Sequence, residues 1–111
     1  FLFAKEHTNL FLEDVLEPLR KVLPELKGYP VYVTLDIDVI DPAFAPGTGT
    51  QEAGGCTSKE IIKAIHVLGD LDVVGFDLVE VSPPSDSSER TALLAAKLIR
   101  EAILTFNSNK R

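Results

Sequence analysis

Two runs of continuously apolar, β-branched sequence, VYVTLDI at 31–37 and DVVGFDLVEV at 72–81, constrain this chain more than anything else in it. A run of this kind is a strand covered on both faces rather than one with a wet side. Between the two, Thr57-Ser58-Lys59-Glu60 sets a threonine three residues before a glutamate. That is a capping box, and it opens a helix over about 58–68. Upstream, Leu10, Phe11, Val15, Leu16, Leu19, Val22 and Leu23 keep helical spacing, so residues 8–26 read as an amphipathic helix ended by Pro24 and the KGYP turn. Downstream, SPPSDSSERT leads into a helix over 88–105 with Ala92, Leu93, Ala96, Leu98, Ile99 and Ile103 as its apolar stripe. Strands alternating with helices mean βαβ crossovers and a parallel sheet. The fold class is therefore α/β. Two strands alone leave two edges and a large uncovered face, which predicts further elements beyond this chain. The chain also opens without Met and without a capping residue, already in helical periodicity. It is expected to have been cut from a longer one.

Parallel sheets bind ligands at the carboxyl ends of their strands, and both acidic groups fall there. Asp36, Asp38 and Asp41 follow the first strand; Asp77 and Glu80 end the second. Asp36 and Asp38 stand two apart, so their carboxylates project the same way and repel unless a cation sits between them. Oxygen donors suit magnesium or manganese. Asp41, before Pro42, reads as a turn start. An EF-hand fails, because its sixth and twelfth positions hold Asp41 and Gly47. A dinucleotide fingerprint fails too, because Glu52 stands where the third glycine belongs. A haloacid-dehalogenase phosphatase, with Asp36 as nucleophile and Asp38 as acid, lacks its hydroxyl residue at Ile40 and leaves the glycine loop unexplained.

The net charge of −6 disfavours nucleic acid and anionic membranes as partners and suits a cationic substrate or a metal. With Cys56 alone, no internal disulfide forms. Cys56 reads as a small buried hydrophobe, and the expected location is the cytoplasm.

The stretch TLDIDVIDPAFAPGTGTQEAGGCT, with GFDLVEVSPPSD after it, resembles the signatures of the ureohydrolases, the arginase and agmatinase superfamily. The resemblance spans about 30–105 and implies an arginase-like fold, a three-layer αβα sandwich on a parallel sheet. Residues 1–111 would form one partial domain, its C-terminal part. It further implies two manganese ions, with Asp38 as a ligand and Asp36 bridging the pair. Glu80 would accept hydrogen bonds from a small cationic guanidine, and Thr50 would lie beside it. Asp77 is divided between a supporting and a structural role. The implied reaction is attack of a hydroxide bridging the two metals on the guanidinium carbon. The segments GTGTQE and VEVSPPSD are similar to agmatinases, which convert agmatine to putrescine and urea on the way to polyamines. Arginase, a guanidinobutyrase-type hydrolase, or a non-catalytic fold and oligomerisation module are the alternatives.

The family's other metal ligands lie in Gly-Gly-Asp-His and Asp-Ala-His-x-Asp segments that this chain lacks. The piece alone is expected to be inactive without an N-terminal part. No catalytic residue beyond metal ligands is expected within it, and His7 and His66 read as structural. Gln51, Cys56 and Ser85 depart from the usual proline, leucine and tyrosine. The resemblance also implies a homo-oligomer, trimeric or hexameric.

Overall fold

The computed structural model describes residues 1–108. Its elements run α1 (Leu2–His7), α2 (Leu16–Leu26), β1 (Pro30–Asp36), α3 (Ser58–Leu68), β2 (Asp72–Val79) and α4 (Arg90–Ser108). Short 3-10 turns lie at Ile37–Val39 and Pro83–Ser85. β1 and β2 pair in parallel from Pro30↔Asp72 to Asp36↔Val79, and α3 makes the crossover between them. Thr57 opens α3 as the sequence predicts: its hydroxyl accepts from the Glu60 amide at 3.1 Å.

Val74 is an extra residue of β2, inserted between the pairs Val31↔Val73 and Tyr32↔Gly75. Beyond this bulge the strands stay in phase. Leu35, Phe76 and Leu78 point toward the helices and pack on the core of Ile37, Ile40, Ala45, Ile61, Ile65, Ala95, Leu98 and Ala102. Tyr32, Thr34, Asp36 and Asp77 point the other way. The apolar runs predict cover on both faces, yet the helices among the described residues cover one. Tyr32 is 62% exposed on the other.

The helix expected over 8–26 is shorter: only Leu16–Leu26 is helical, residues 8–15 lie outside any helix, and the short α1 precedes them at Leu2–His7. Pro18 is the physical reason. A proline has no N–H and its ring collides with the carbonyl four residues back, so it is best accommodated in a first turn, where neither matters. With Pro18 as the third residue of α2, the helix begins at Leu16. Pro24 does not end α2 but lies inside it, in the last turn, where its missing N–H costs one bond and the chain leaves the helix three residues later.

The stripe expected on α4 is also corrected. Thr91, Ala95, Leu98 and Ala102 are its buried residues, while Leu93, Ile99 and Ile103 are exposed. Spacing of i, i+4, i+7, i+11 picks the first set, and a second apolar row beside it stays uncovered. Between α2, α3 and β1 lies an apolar cleft of about 500 Å³, lined by Val15, Leu19, Val22, Val33, Ile61 and Ile65 among others. None of the acidic candidates lines it. No helix among the described residues is long and apolar enough to cross a membrane.

Candidate functional site

Asp36 is the last residue of β1 and caps the 3-10 turn that follows, its Oδ1 accepting from the Asp38 amide at 3.1 Å. Ile37, fully buried, anchors that turn in the core. With Ile37 fixed inward, Asp38 stays half-buried beside Asp36. Burial pushes the Asp38 carboxyl above the usual carboxylate range. The Asp36 charge, a hydrogen bond with the Asp36 side chain and the Glu80 charge push it further the same way. The carboxylates of Asp36, Asp38 and Glu80 thus share one electrostatic neighbourhood at the carboxyl end of the sheet.

Glu80 follows β2 directly and has φ 68°, a left-handed backbone that side-chain-bearing residues seldom adopt. Strain of this kind persists where the surroundings enforce it, and it gathers at binding sites.

Four tethers shape the long loop after Asp38. Asp41 does more than start a turn: its Oδ1 accepts from the Ala43 amide and its Oδ2 from the Gly54 amide, both at 2.9 Å. Those N–H groups hold its carboxyl below the usual range, the Ala43 contribution being the larger. The backbones of Ile40 and Cys56 form a parallel bridge, and a Cβ on Gly55 would stand 2.6 Å from the Asp41 nitrogen. Only glycine passes there. Further along, the Gly47 amide donates to Thr91 Oγ1 at 2.7 Å, and the Gly47 carbonyl accepts from the Ser82 amide at 2.7 Å. Thr50 sits exposed on the bend that follows.

Sequence reasoning missed two groups here. Asp86, buried, accepts from the Ser88 amide and hydroxyl and from the Thr91 amide, so it caps the approach to α4. The Ser88 hydroxyl first, then Thr91, hold its carboxyl far below the usual range. An aspartate just ahead of a helical apolar pattern was the available signal. Thr48 is 3% exposed, and its hydroxyl has no partner among the described residues. Nothing in the sequence separates Thr48 from Thr50.

Asp77 lies on the open sheet face, where Thr34 Oγ1 donates to its Oδ1 at 2.6 Å and the Tyr32 hydroxyl to its Oδ2. These donors, Thr34 foremost, lower its carboxyl. His7 stacks on Phe3 with ring centroids 4.2 Å apart, and His66 Nε2 meets Glu101 Oε2 at 2.8 Å to join α3 to α4. Cys56 is half-buried, and burial raises its thiol.

A hard divalent cation suits the carboxylate oxygens of Asp36 and Asp38, and neutralising their mutual repulsion would favour it. Among the described residues, however, no three His, Cys, Asp or Glu side chains gather closely enough to hold an ion unaided. The donor set fits manganese as part of a coordination shell.

The profile of the Arginase family matches residues 2–105. The chain is 57% identical to the agmatinase of Bacillus anthracis over 94% of its own length and 37% of that relative's. It is 56% identical to the agmatinase of Bacillus subtilis, over 96% of its length and 38% of the relative's. It therefore spans little more than a third of the curated relatives it matches. Among solved structures it is similar to proclavaminate amidino hydrolase from Streptomyces clavuligerus, with TM-score 0.87 and 37% identity over 94% of this chain and 37% of that one. It is also similar to the arginase from Bacillus caldovelox, with TM-score 0.77 and 28% identity over 91% of this chain and 37% of that one. These neighbours carry the arginase-like α/β fold.

Proposed function

The chain belongs to the Arginase family, and from that premise we propose that it forms the C-terminal part of a ureohydrolase that converts agmatine to urea and putrescine. The observation that carries this reading is the placement of Asp36 and Asp38 after one strand and Glu80 after its parallel partner, with Asp36 paired to Val79, in a chain 57% identical to an agmatinase. Asp36 and Asp38 would hold manganese, with further ligands supplied from outside this chain. Manganese, when bound, supplies Lewis-acid activation of the attacking water.

The residues of this chain do the rest by charge and position. A guanidinium carbon is a poor electrophile because three nitrogens share its positive charge. Glu80 accepts short, charge-assisted hydrogen bonds from those nitrogens and fixes the plane of the group. Thr50, exposed on its bend, would add a hydroxyl contact to the substrate. The Ser82–Gly47 bond ties the Glu80 segment to the loop that carries Thr50, so the two contacts keep their spacing. The acidic balance of the chain favours a cationic substrate.

The test is urea release by the complete polypeptide carrying this chain, supplied with manganese and offered agmatine, arginine and 4-guanidinobutyrate in turn. Urea from agmatine in preference to the other two is the expected result. Preference for arginine moves the substrate, and no urea from any of them removes the reading.

A further inference from the structure

We propose that Asp86 and Thr91 are positioning residues that set the glycine–threonine loop against Glu80 by gripping Gly47. This rests on the ureohydrolase reading for its catalytic consequence, though not for its geometry. Gly47 is bonded at both ends of one peptide residue: its amide donates to Thr91 Oγ1 and its carbonyl accepts from the Ser82 amide, both at 2.7 Å. Ser82 is two residues past Glu80. Thr91 is 1% exposed at the start of α4, and its own amide donates to Asp86 Oδ2 at 2.8 Å. The Thr91 side chain also hydrogen-bonds the Asp86 carboxylate, so one carboxylate orients one hydroxyl, and that hydroxyl holds the loop.

The fit is close enough to be selective. A Cβ on Gly47 would lie 2.8 Å from the Thr91 Cβ and 2.9 Å from the Asp86 Cβ, so the loop is seated directly on this pair. A helix cap needs the Asp86 contacts to Ser88 and Thr91 but has no use for a bond from Thr91 to a loop 44 residues earlier. Thr48, next along, is buried with its hydroxyl unpartnered among the described residues. A buried hydroxyl left without a partner is unfavourable, and the grip on Gly47 is what keeps it there. Thr50 stands three residues from Gly47, so a shift of the grip moves it.

The experiment uses the complete enzyme with Thr91→Val, Thr91→Ser and Asp86→Asn, read three ways: kcat and KM for the guanidine, manganese content, and amide hydrogen exchange across residues 46–50. Thr91→Val, which keeps the shape and removes the hydroxyl, should lower kcat on the order of tenfold, the scale set by a small misplacement of a binding group. Exchange at 46–50 should quicken at least as much while manganese content holds. Thr91→Ser should restore most of both, and Asp86→Asn should fall between them. If Thr91→Val lowers the denaturation midpoint but leaves kcat per folded molecule and exchange at 46–50 unchanged, the pair is only a helix cap and the proposal is wrong. Should Thr91→Val fail to fold, Asp86→Asn carries the same three readouts. If the parent enzyme releases no urea from any guanidine, the functional reading fails on its own. The exchange comparison then still decides whether Thr91 grips the loop.

Discussion

Replacing Glu80 by glycine and, separately, by alanine should give an order of stability opposite to the usual one. In ordinary backbone, glycine is less stable than alanine by roughly 0.5–1 kcal/mol, because its unfolded chain has more freedom to lose. Glu80 has φ 68°. There the Cβ of any L residue crowds the following carbonyl at a cost of about 1–2 kcal/mol, which glycine escapes. Setting one against the other leaves Glu80→Gly more stable than Glu80→Ala by roughly 0.5–1 kcal/mol. Both variants lose the carboxylate proposed to meet the guanidinium, so both should lose urea release together, by about one to two orders of magnitude in kcat/KM. Urea denaturation midpoints of the complete protein, measured beside a urea-independent product assay for putrescine, resolve the two effects. If Glu80→Ala proves the more stable, the residue does not hold a left-handed backbone and strain plays no part in aiming its carboxylate. If activity survives in Glu80→Gly, Glu80 does not bind the substrate.

Manganese added to the metal-free complete enzyme should raise its thermal midpoint in the parent and do so weakly in Asp38→Asn, since only a folded state with both carboxylates gains from the ion. In the same metal-free protein near neutral pH, Asp38→Asn should itself be stabilising, because burial and the charges of Asp36 and Glu80 oppose ionisation of Asp38. Gly55→Ala should cost more than about 2 kcal/mol by calorimetry, as its Cβ would meet three backbone atoms, the Asp41 nitrogen at 2.6 Å, the Val39 oxygen at 2.7 Å and the Ile40 carbonyl carbon at 2.9 Å, none free to move. Acid should weaken the fold through Glu101, whose carboxyl is drawn down to about 2, first by Lys97 and then by His66. Its folded value lies below its unfolded one, so its contribution is whole above the unfolded value near 4.5 and is lost as pH falls toward 2. Denaturation midpoints against pH should therefore show a shallower acid limb in Glu101→Gln.

The sequence makes the βαβ core legible because hydrophobic periodicity and a capping box are local signals, and β1, α3 and β2 obey local rules. It misplaces the N-terminal helix because periodicity is blind to Pro18: the apolar residues from Leu10 onward keep step, while one ring forbids the helix they suggest. On α4 both apolar rows keep helical spacing, and only the packing of Thr91, Ala95, Leu98 and Ala102 shows which one faces inward. The acids of the site are visible as residue types at strand ends. The Gly47 grip is not, since it joins residues 44 positions apart through one hydroxyl.

What distinguishes the acids from one another is the supply of donors. Asp41, Asp77 and Asp86 each receive at least two hydrogen bonds from N–H or O–H groups of the chain, and each is held below the usual carboxylate range. Their charge is already satisfied, by the Ala43 and Gly54 amides, by the Thr34 and Tyr32 hydroxyls, and by Ser88 with Thr91. These three build the loop and the sheet face, and Asp77, divided between two roles on sequence alone, falls with them. Asp38 stands apart: it is crowded by Asp36 and Glu80, burial disfavours its charge, and its carboxyl is raised. With donors placed on those three carboxylates and Asp38 set against its own kind, the arrangement supports the proposal that Asp38 meets a cation from outside the chain. The same reasoning separates Glu80 from the structural acids, because its strained backbone has no compensating bond from its carboxylate to the rest of the chain among those described. Both conclusions turn on where hydrogen-bond donors are missing, which is a property of the folded arrangement and not of residue type.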